Sequence, residues 1–135
     1  MANALYDKGR EGFLDGSIDW DTNDIRVCLV KNTYSPTLGS DTYMSTITSH
    51  DNGRSAALGS KTVTAGVADA ADTSLTATSA VVCNALVIFQ HTGSDATARL
   101  IAYIDTPTSG LPFTPSVGQT VNITWDNGTN KIFKL

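Results

Sequence analysis

Val81-Val82-Cys83-Asn84-Ala85-Leu86-Val87-Ile88-Phe89-Gln90 contains the longest apolar run of the sequence, Ala85 to Phe89. A run of this length without polar alternation predicts a strand covered on both faces, at the centre of a sheet. His91-Thr92-Gly93-Ser94-Asp95 follows with turn chemistry. Leu100-Ile101-Ala102-Tyr103-Ile104 then returns, so the two apolar segments predict a central antiparallel hairpin.

The pattern continues outward from that hairpin. Ile25-Arg26-Val27-Cys28-Leu29-Val30 reads as a strand, introduced by a turn at Asp21-Thr22-Asn23-Asp24. Lys61, Val63, Ala65 and Val67 alternate with Thr and Gly, Asp69 to Asp72 forms a turn, and Leu75 and Ala77 alternate with Ser74, Thr76 and Thr78. Val121, Ile123 and Trp125 share one face of a further strand. Asp126-Asn127-Gly128 predicts a hairpin turn leading into a last strand, Lys131 to Leu135, with the terminal Leu135 packed. Tyr34 to Ser40 and Thr106 to Gly118 carry the prolines and read as loops, and His50-Asp51-Asn52-Gly53 reads as a turn.

Helical pattern is confined to the N-terminal half. Leu5, Tyr6, Gly9, Phe13 and Leu14 form one face of a short helix or arm, which Gly9 and Gly12 weaken by about 1 kcal/mol each relative to Ala. Gly16 is placed to end it. A second short helix is expected over Asp41 to Ile47, with Asp41 as N-cap and Tyr43, Met44 and Ile47 buried. The expected fold is mainly β: an antiparallel β-sandwich or small barrel with one or two short helices near the N-terminal half. Residues 1–16 would be an arm or helix packed on a single sandwich domain of residues 17–135.

Composition narrows the function. The 135 residues suit one domain. A 41% hydrophobic share with only 16% charged residues argues against disorder. Nine Lys and Arg residues and a net charge of −4 provide no basic footprint for nucleic acid. The longest apolar run is far short of a bilayer span, and the N-terminus lacks the pattern of a signal peptide. Cys28 and Cys83, both within apolar segments, are expected as buried reduced thiols.

Catalytic chemistry is not expected. His50 and His91 fall in turns, and no nucleophile elbow, phosphate-binding loop, zinc-protease or C-x-x-C motif is present. Asp19-Trp20-Asp21-Thr22-Asn23-Asp24 begins like a calcium loop, but Asp24 stands where Gly is needed and Val30 where a bidentate Glu is needed. A looser cation site at Asp15, Asp19 and Asp21 is the alternative to a turn held by Asx hydrogen bonds. No cofactor and no metal is assigned. Two Asn-x-Thr matches, at Asn122 and Asn127, are too short to signify glycosylation. Trp20 and Trp125, with Tyr34, Tyr43 and Tyr103, could build a carbohydrate platform, but Trp125 shares the alternating face of Val121 and Ile123 and is expected in the core.

The positive signal is surface. Strands rich in Thr and Ala with few charges leave weakly guarded edges, hazards in a free monomer and assets in an assembly. Leu38, Leu111 and Phe113, in the proline-containing loops, have no obvious core position and are candidate partner contacts.

Nearly the whole chain resembles small structural proteins of tailed bacteriophages. The resemblance is carried by Ala4-Leu5-Tyr6-Asp7-Lys8-Gly9-Arg10-Glu11-Gly12-Phe13-Leu14-Asp15-Gly16, Ile18-Asp19-Trp20-Asp21-Thr22 and Ile25 to Val30. It extends through Gly59-Ser60-Lys61-Thr62-Val63, Ala85 to Phe89, Leu100 to Asp105, Trp125-Asp126-Asn127-Gly128 and Ile132-Phe133-Lys134-Leu135. This group is similar to capsid decoration, or cement, proteins. The resemblance implies a non-enzymatic virion component on the capsid surface, assembled in the host cytoplasm. Its partners would be the major capsid protein and copies of itself, with no nucleic acid or membrane. The alternatives are a tail, neck or fibre component, or a carbohydrate-binding adhesion module.

Overall fold

The computed structural model describes residues 4–105, 112–125, 128–129 and 131–135. In chain order its elements are β1 (Ala4–Leu5), α1 (Asp7–Asp15), β2 (Ile25–Lys31), two 3₁₀ turns (Met44–Thr46 and Thr48–His50) and β3 (Asp51–Arg54). β4 (Thr62–Thr64), β5 (Val67–Asp69), β6 (Thr73–Thr76), β7 (Cys83–Gln90), β8 (Leu100–Ile104), β9 (Thr120–Ile123) and β10 (Phe133–Lys134) follow. The strands form antiparallel sheets ordered β1-β8-β7-β2-β3, β10-β5-β4 and β6-β9. The fold is mainly β and sandwich-like, as the periodicity predicts.

β7 is the middle strand of the five, and β8 pairs with it antiparallel. Its unbroken apolar run follows from burial on both sides. Val27 pairs with Ile88 and Leu29 with Leu86 on one face; Cys28 pairs with Val87 and Val30 with Ala85 on the other. The first face builds a core with Leu75, Ile123, Trp20 and Trp125, which lie in or beside the smaller sheets. The second face is covered by Tyr6, Tyr34, Met44, Ile47 and Ala98. Cys28 and Cys83 are free and buried, and they belong to opposite faces, so the sheet itself separates the thiols.

The N-terminal arm is integral to the large sheet. β1 pairs with β8, and the Tyr6 N–H donates to the Ile101 carbonyl at 3.0 Å. Opposite this contact β8 carries an extra residue: Ile88 faces Ala102 and Phe89 faces Leu100, leaving Ile101 as a bulge. Helix α1 lies against that bulge on Gly9. A Cβ there would sit 2.8 Å from the Leu100 carbonyl oxygen and 2.9 Å from Ile101 Cα. Gly16, at φ 83°, ends the helix as expected. Leu14 does not join the buried face; it is 87% exposed, and Gly12 takes the inner position instead.

Four local expectations are corrected. His50 to Gly53 is not a free turn, because Asp51–Arg54 pairs with β2 as an edge strand. Asp41 caps no α-helix: its carboxylate accepts hydrogen bonds from the Tyr34 hydroxyl and the Thr37 N–H, and the chain beyond it forms two 3₁₀ turns that bury Met44 and Ile47. The alternating stretch from Lys61 to Val67 is two strands of a hairpin rather than one. The described strands on either side of Asn127-Gly128 pair with other partners, β9 with β6 and β10 with β5; Asp126, Asn127 and Asn130 lie outside the described residues.

Candidate partner-binding edge and cleft

β4 and β5 are joined by Ala65-Gly66, both at positive φ (53° and 78°). Two such residues between paired strands make the tight turn whose twist suits a hairpin. Thr64 and Val67 flank the turn, Val63 faces Ala68, and Ala68 in turn faces Phe133 of β10. Val63, Ala68 and Phe133 therefore form one row across one face of the sheet. Ala68 is the small member of the row, and the space above it is a hollow.

The opposite wall of that hollow comes from the end of α1 and the segment after it. Phe13, Ile18 and Trp20 line it, and with Val63, Ala68, Phe133 and Leu135 they bound a cleft of about 380 Å³. Trp20 meets Phe133 edge-on at 5.2 Å, and Phe13 lies 5.8 Å from the same ring. The Trp20 indole N–H donates to the Asp69 carbonyl at 3.0 Å, which anchors the floor to the end of β5. Val63 and Leu135 stand at the mouth, 57% and 59% exposed. Leu135 is tied by its backbone N–H to the Gly66 carbonyl rather than by its side chain, so the expected packing of the terminal residue is met only through the main chain.

The rim is acidic. Asp19 and Asp21 line the cleft. Their carboxyls share a hydrogen bond, which holds Asp19 below the usual carboxylate range and, together with the repulsion between them, pushes Asp21 up. Asp15 is held low by accepting from the Ser17 hydroxyl and N–H. The nearby cation, Lys61, donates to the Asn23 backbone carbonyl. The turn at Asp19 is closed by Asx-type bonding, with Asn23 Oδ1 accepting from the Asp19 N–H at 2.7 Å. Among the described residues, no group of three or more His, Cys, Asp or Glu side chains is arranged to hold a metal ion.

The candidate contacts read from sequence lie elsewhere. Leu38 is half-buried against the second core face, and its carbonyl accepts from the Asp7 N–H. Phe113 is half-buried against the first core and bridges Cys83 through a reciprocal pair of backbone hydrogen bonds. Both side chains thus give much of their surface to their own domain, and neither lines the cleft. Leu111 lies outside the described residues.

The two Trp residues are buried, each with its indole N–H bonded to a backbone carbonyl, so neither forms an exposed platform. His50 is bonded to the Thr33 hydroxyl and stacks near Tyr34, while the His91 ring lies against Phe89. No described helix is long and apolar enough to cross a membrane.

Sequence reading missed the cleft because its walls are three separate segments: residues 13–21, the β4–β5 hairpin and the chain end. The available signal was Thr62-Val63-Thr64 before Ala65-Gly66, a strand with no charge on it leading straight into a tight turn. No protein-family model, curated protein or solved structure matches the chain.

Proposed function

We propose that this protein is a structural virion component that decorates and stabilises the capsid of a tailed bacteriophage by binding its major capsid protein. The resemblance supports the reading, and the residues that carry it are those that build the scaffold: Ile25 to Val30 lies within β2, Ala85 to Phe89 within β7, and Leu100 to Ile104 is β8. The observation that carries it furthest is the outer edge of β4. Thr62, Val63 and Thr64 are all exposed, no other described strand pairs with that edge, and none of the three is charged. Edge strands of free proteins are commonly guarded by charge, proline or a bulge. An unguarded edge beside an aromatic cleft is a surface for association. Many weak contacts of this kind on one shell add together, and binding only the assembled form stabilises it.

Quantitative mass spectrometry of purified particles, with a reconstruction of the same particles, tests the proposal. The expected result is high copy number on the outer lattice. Particles that lack the chain, or hold a few copies at the tail vertex, overturn it; the second outcome assigns a tail or neck role.

A further inference from the structure

We infer that the outer edge of β4 receives an extended segment of a partner protein, carrying an aliphatic residue with Lys or Arg two positions away, as an antiparallel fourth strand beside β4. The inference deepens the proposed role and rests on it only for the source of that segment, which would be a shell subunit.

The backbone fixes where the new strand pairs. In an antiparallel ladder, residue pairs alternate between those that exchange hydrogen bonds and those whose N–H and C=O point outward. The Ala68 carbonyl accepts from the Ile132 N–H on the β10 side, and the Gly66 carbonyl accepts from Leu135 on that same side. Ala68 therefore turns its polar groups away from Val63, and Val63 turns its own N–H and C=O away from Ala68. These two groups face outward from the exposed edge of β4. An incoming residue opposite Val63 can satisfy both.

Side chains follow from the same register. A residue paired with Val63 projects on the face shared by Val63, Ala68 and Phe133. It falls at the mouth of the cleft floored by Trp20, where an aliphatic side chain is removed from water against aromatic rings. Of the residues two positions away, one falls opposite Lys61, whose ammonium is tied back to the Asn23 carbonyl, and both project on the face where Asp19 and Asp21 line the cleft. The chain's net charge of −4 adds to the preference for a basic segment. A second copy of this chain is the weaker occupant. Antiparallel pairing of β4 with another β4 would set two acidic rims along one seam.

The probe is a short peptide with a central valine, lysines two positions to either side and threonines between, compared with the same peptide carrying Glu for Lys. Binding to the full chain is followed by Trp20-sensitive fluorescence and by hydrogen exchange of the Val63 amide. The Lys peptide is expected to slow Val63 exchange and to bind about tenfold more tightly than the Glu peptide. Val63→Pro removes the outward donor of an edge strand and is expected to weaken binding about tenfold, while Val63→Thr, which keeps that donor, stays within about threefold. Should Val63→Pro fail to fold, the exchange measurement on the unaltered protein decides.

Absence of binding, equal binding of the two peptides, or binding that leaves Val63 exchanging freely overturns the inference. So does concentration-dependent dimerisation that protects Val63 without peptide, which assigns the edge to a second copy. Peptide binding by a protein missing from particles overturns the capsid role alone; particles that carry a protein blind to the peptide overturn strand addition alone.

Discussion

Asn52 shows how much one buried side chain organises. It is completely buried, and both polar atoms of its side chain are hydrogen-bonded. Its Oδ1 accepts from the Ser79 N–H at 2.8 Å, the Ser79 hydroxyl at 2.7 Å and the Thr78 hydroxyl at 3.1 Å, while its Nδ2 donates to the Ser79 carbonyl and the Cys83 sulfur. The residue thereby fastens β3 to the loop that feeds the central strand. Asn52→Leu preserves bulk and orphans the Ser79 groups, so equilibrium urea unfolding should show a loss of about 2–3 kcal/mol. Trp125→Ala removes a large side chain from the core shared by the sheets, where the indole also holds the Ala71 carbonyl. Its expected cost is about 3–5 kcal/mol by the same measurement. The Trp125 position was legible from its alternation with Val121 and Ile123. The role of Asn52 was not, because Asn-Gly satisfies the rules for a turn equally well. Gly53 stands there for another reason: at φ 125° in β3, its added Cβ would lie 2.3 Å from the Thr76 carbonyl oxygen, where β6 crosses close by.

At the scale of elements, local propensity and tertiary packing make opposite demands on two short segments. Helix α1 carries Gly9, and propensity alone favours Ala at a helical position by about 1 kcal/mol. The bulge of β8 forbids it, since backbone atoms of Leu100 and Ile101 occupy the space of the new methyl group. Gly9→Ala is therefore expected to destabilise by about 1–3 kcal/mol, read as a lowered urea midpoint, despite raising helix propensity. The β4–β5 hairpin is the reverse case. Ala65 is held at φ 53°, a conformation that costs residues with a Cβ and that Asn tolerates better. Ala65→Asn should raise stability by about 0.5–1 kcal/mol, and a neutral or negative result would remove the turn assignment. Both segments explain the limits of reading from pattern. Near-continuous apolar runs located β2, β7 and β8, because these strands are covered on both faces. The period-two signal blurred the Lys61 to Val67 stretch because a tight turn built from Ala and Gly leaves the apolar alternation unbroken. The cleft between these elements depends on their relative placement, which no single segment encodes.

Across the whole molecule, the layer over the second core face is held to the sheet by charge as well as apolar contact. Arg54 on β3 grips Asp95 with two hydrogen bonds of 2.8 Å, takes Asp51 at 2.6 Å and lies over the Phe89 ring at 5.3 Å. Asp95 also accepts from the Thr48 hydroxyl in the second 3₁₀ turn, so one carboxylate joins an edge strand, the loop after β7 and the covering layer. The Arg54 guanidinium, helped by Thr48, holds Asp95 below the usual carboxylate range. A carboxyl whose folded value is depressed adds stability that is fully present above its unfolded value, about 3.9, and is lost as pH falls through the folded value. Asp95 is one-third exposed, so screening limits the gain to about 1 kcal/mol. Asp95→Asn should then melt below the unaltered protein at neutral pH, and the two curves should converge as the solution is taken below about pH 4. Melting temperatures measured across that range decide the matter. A gap that stays constant from neutral to acid would mean that Asp95 acts through its shape and hydrogen bonds rather than its charge, and that charge adds nothing to the hold on the covering layer.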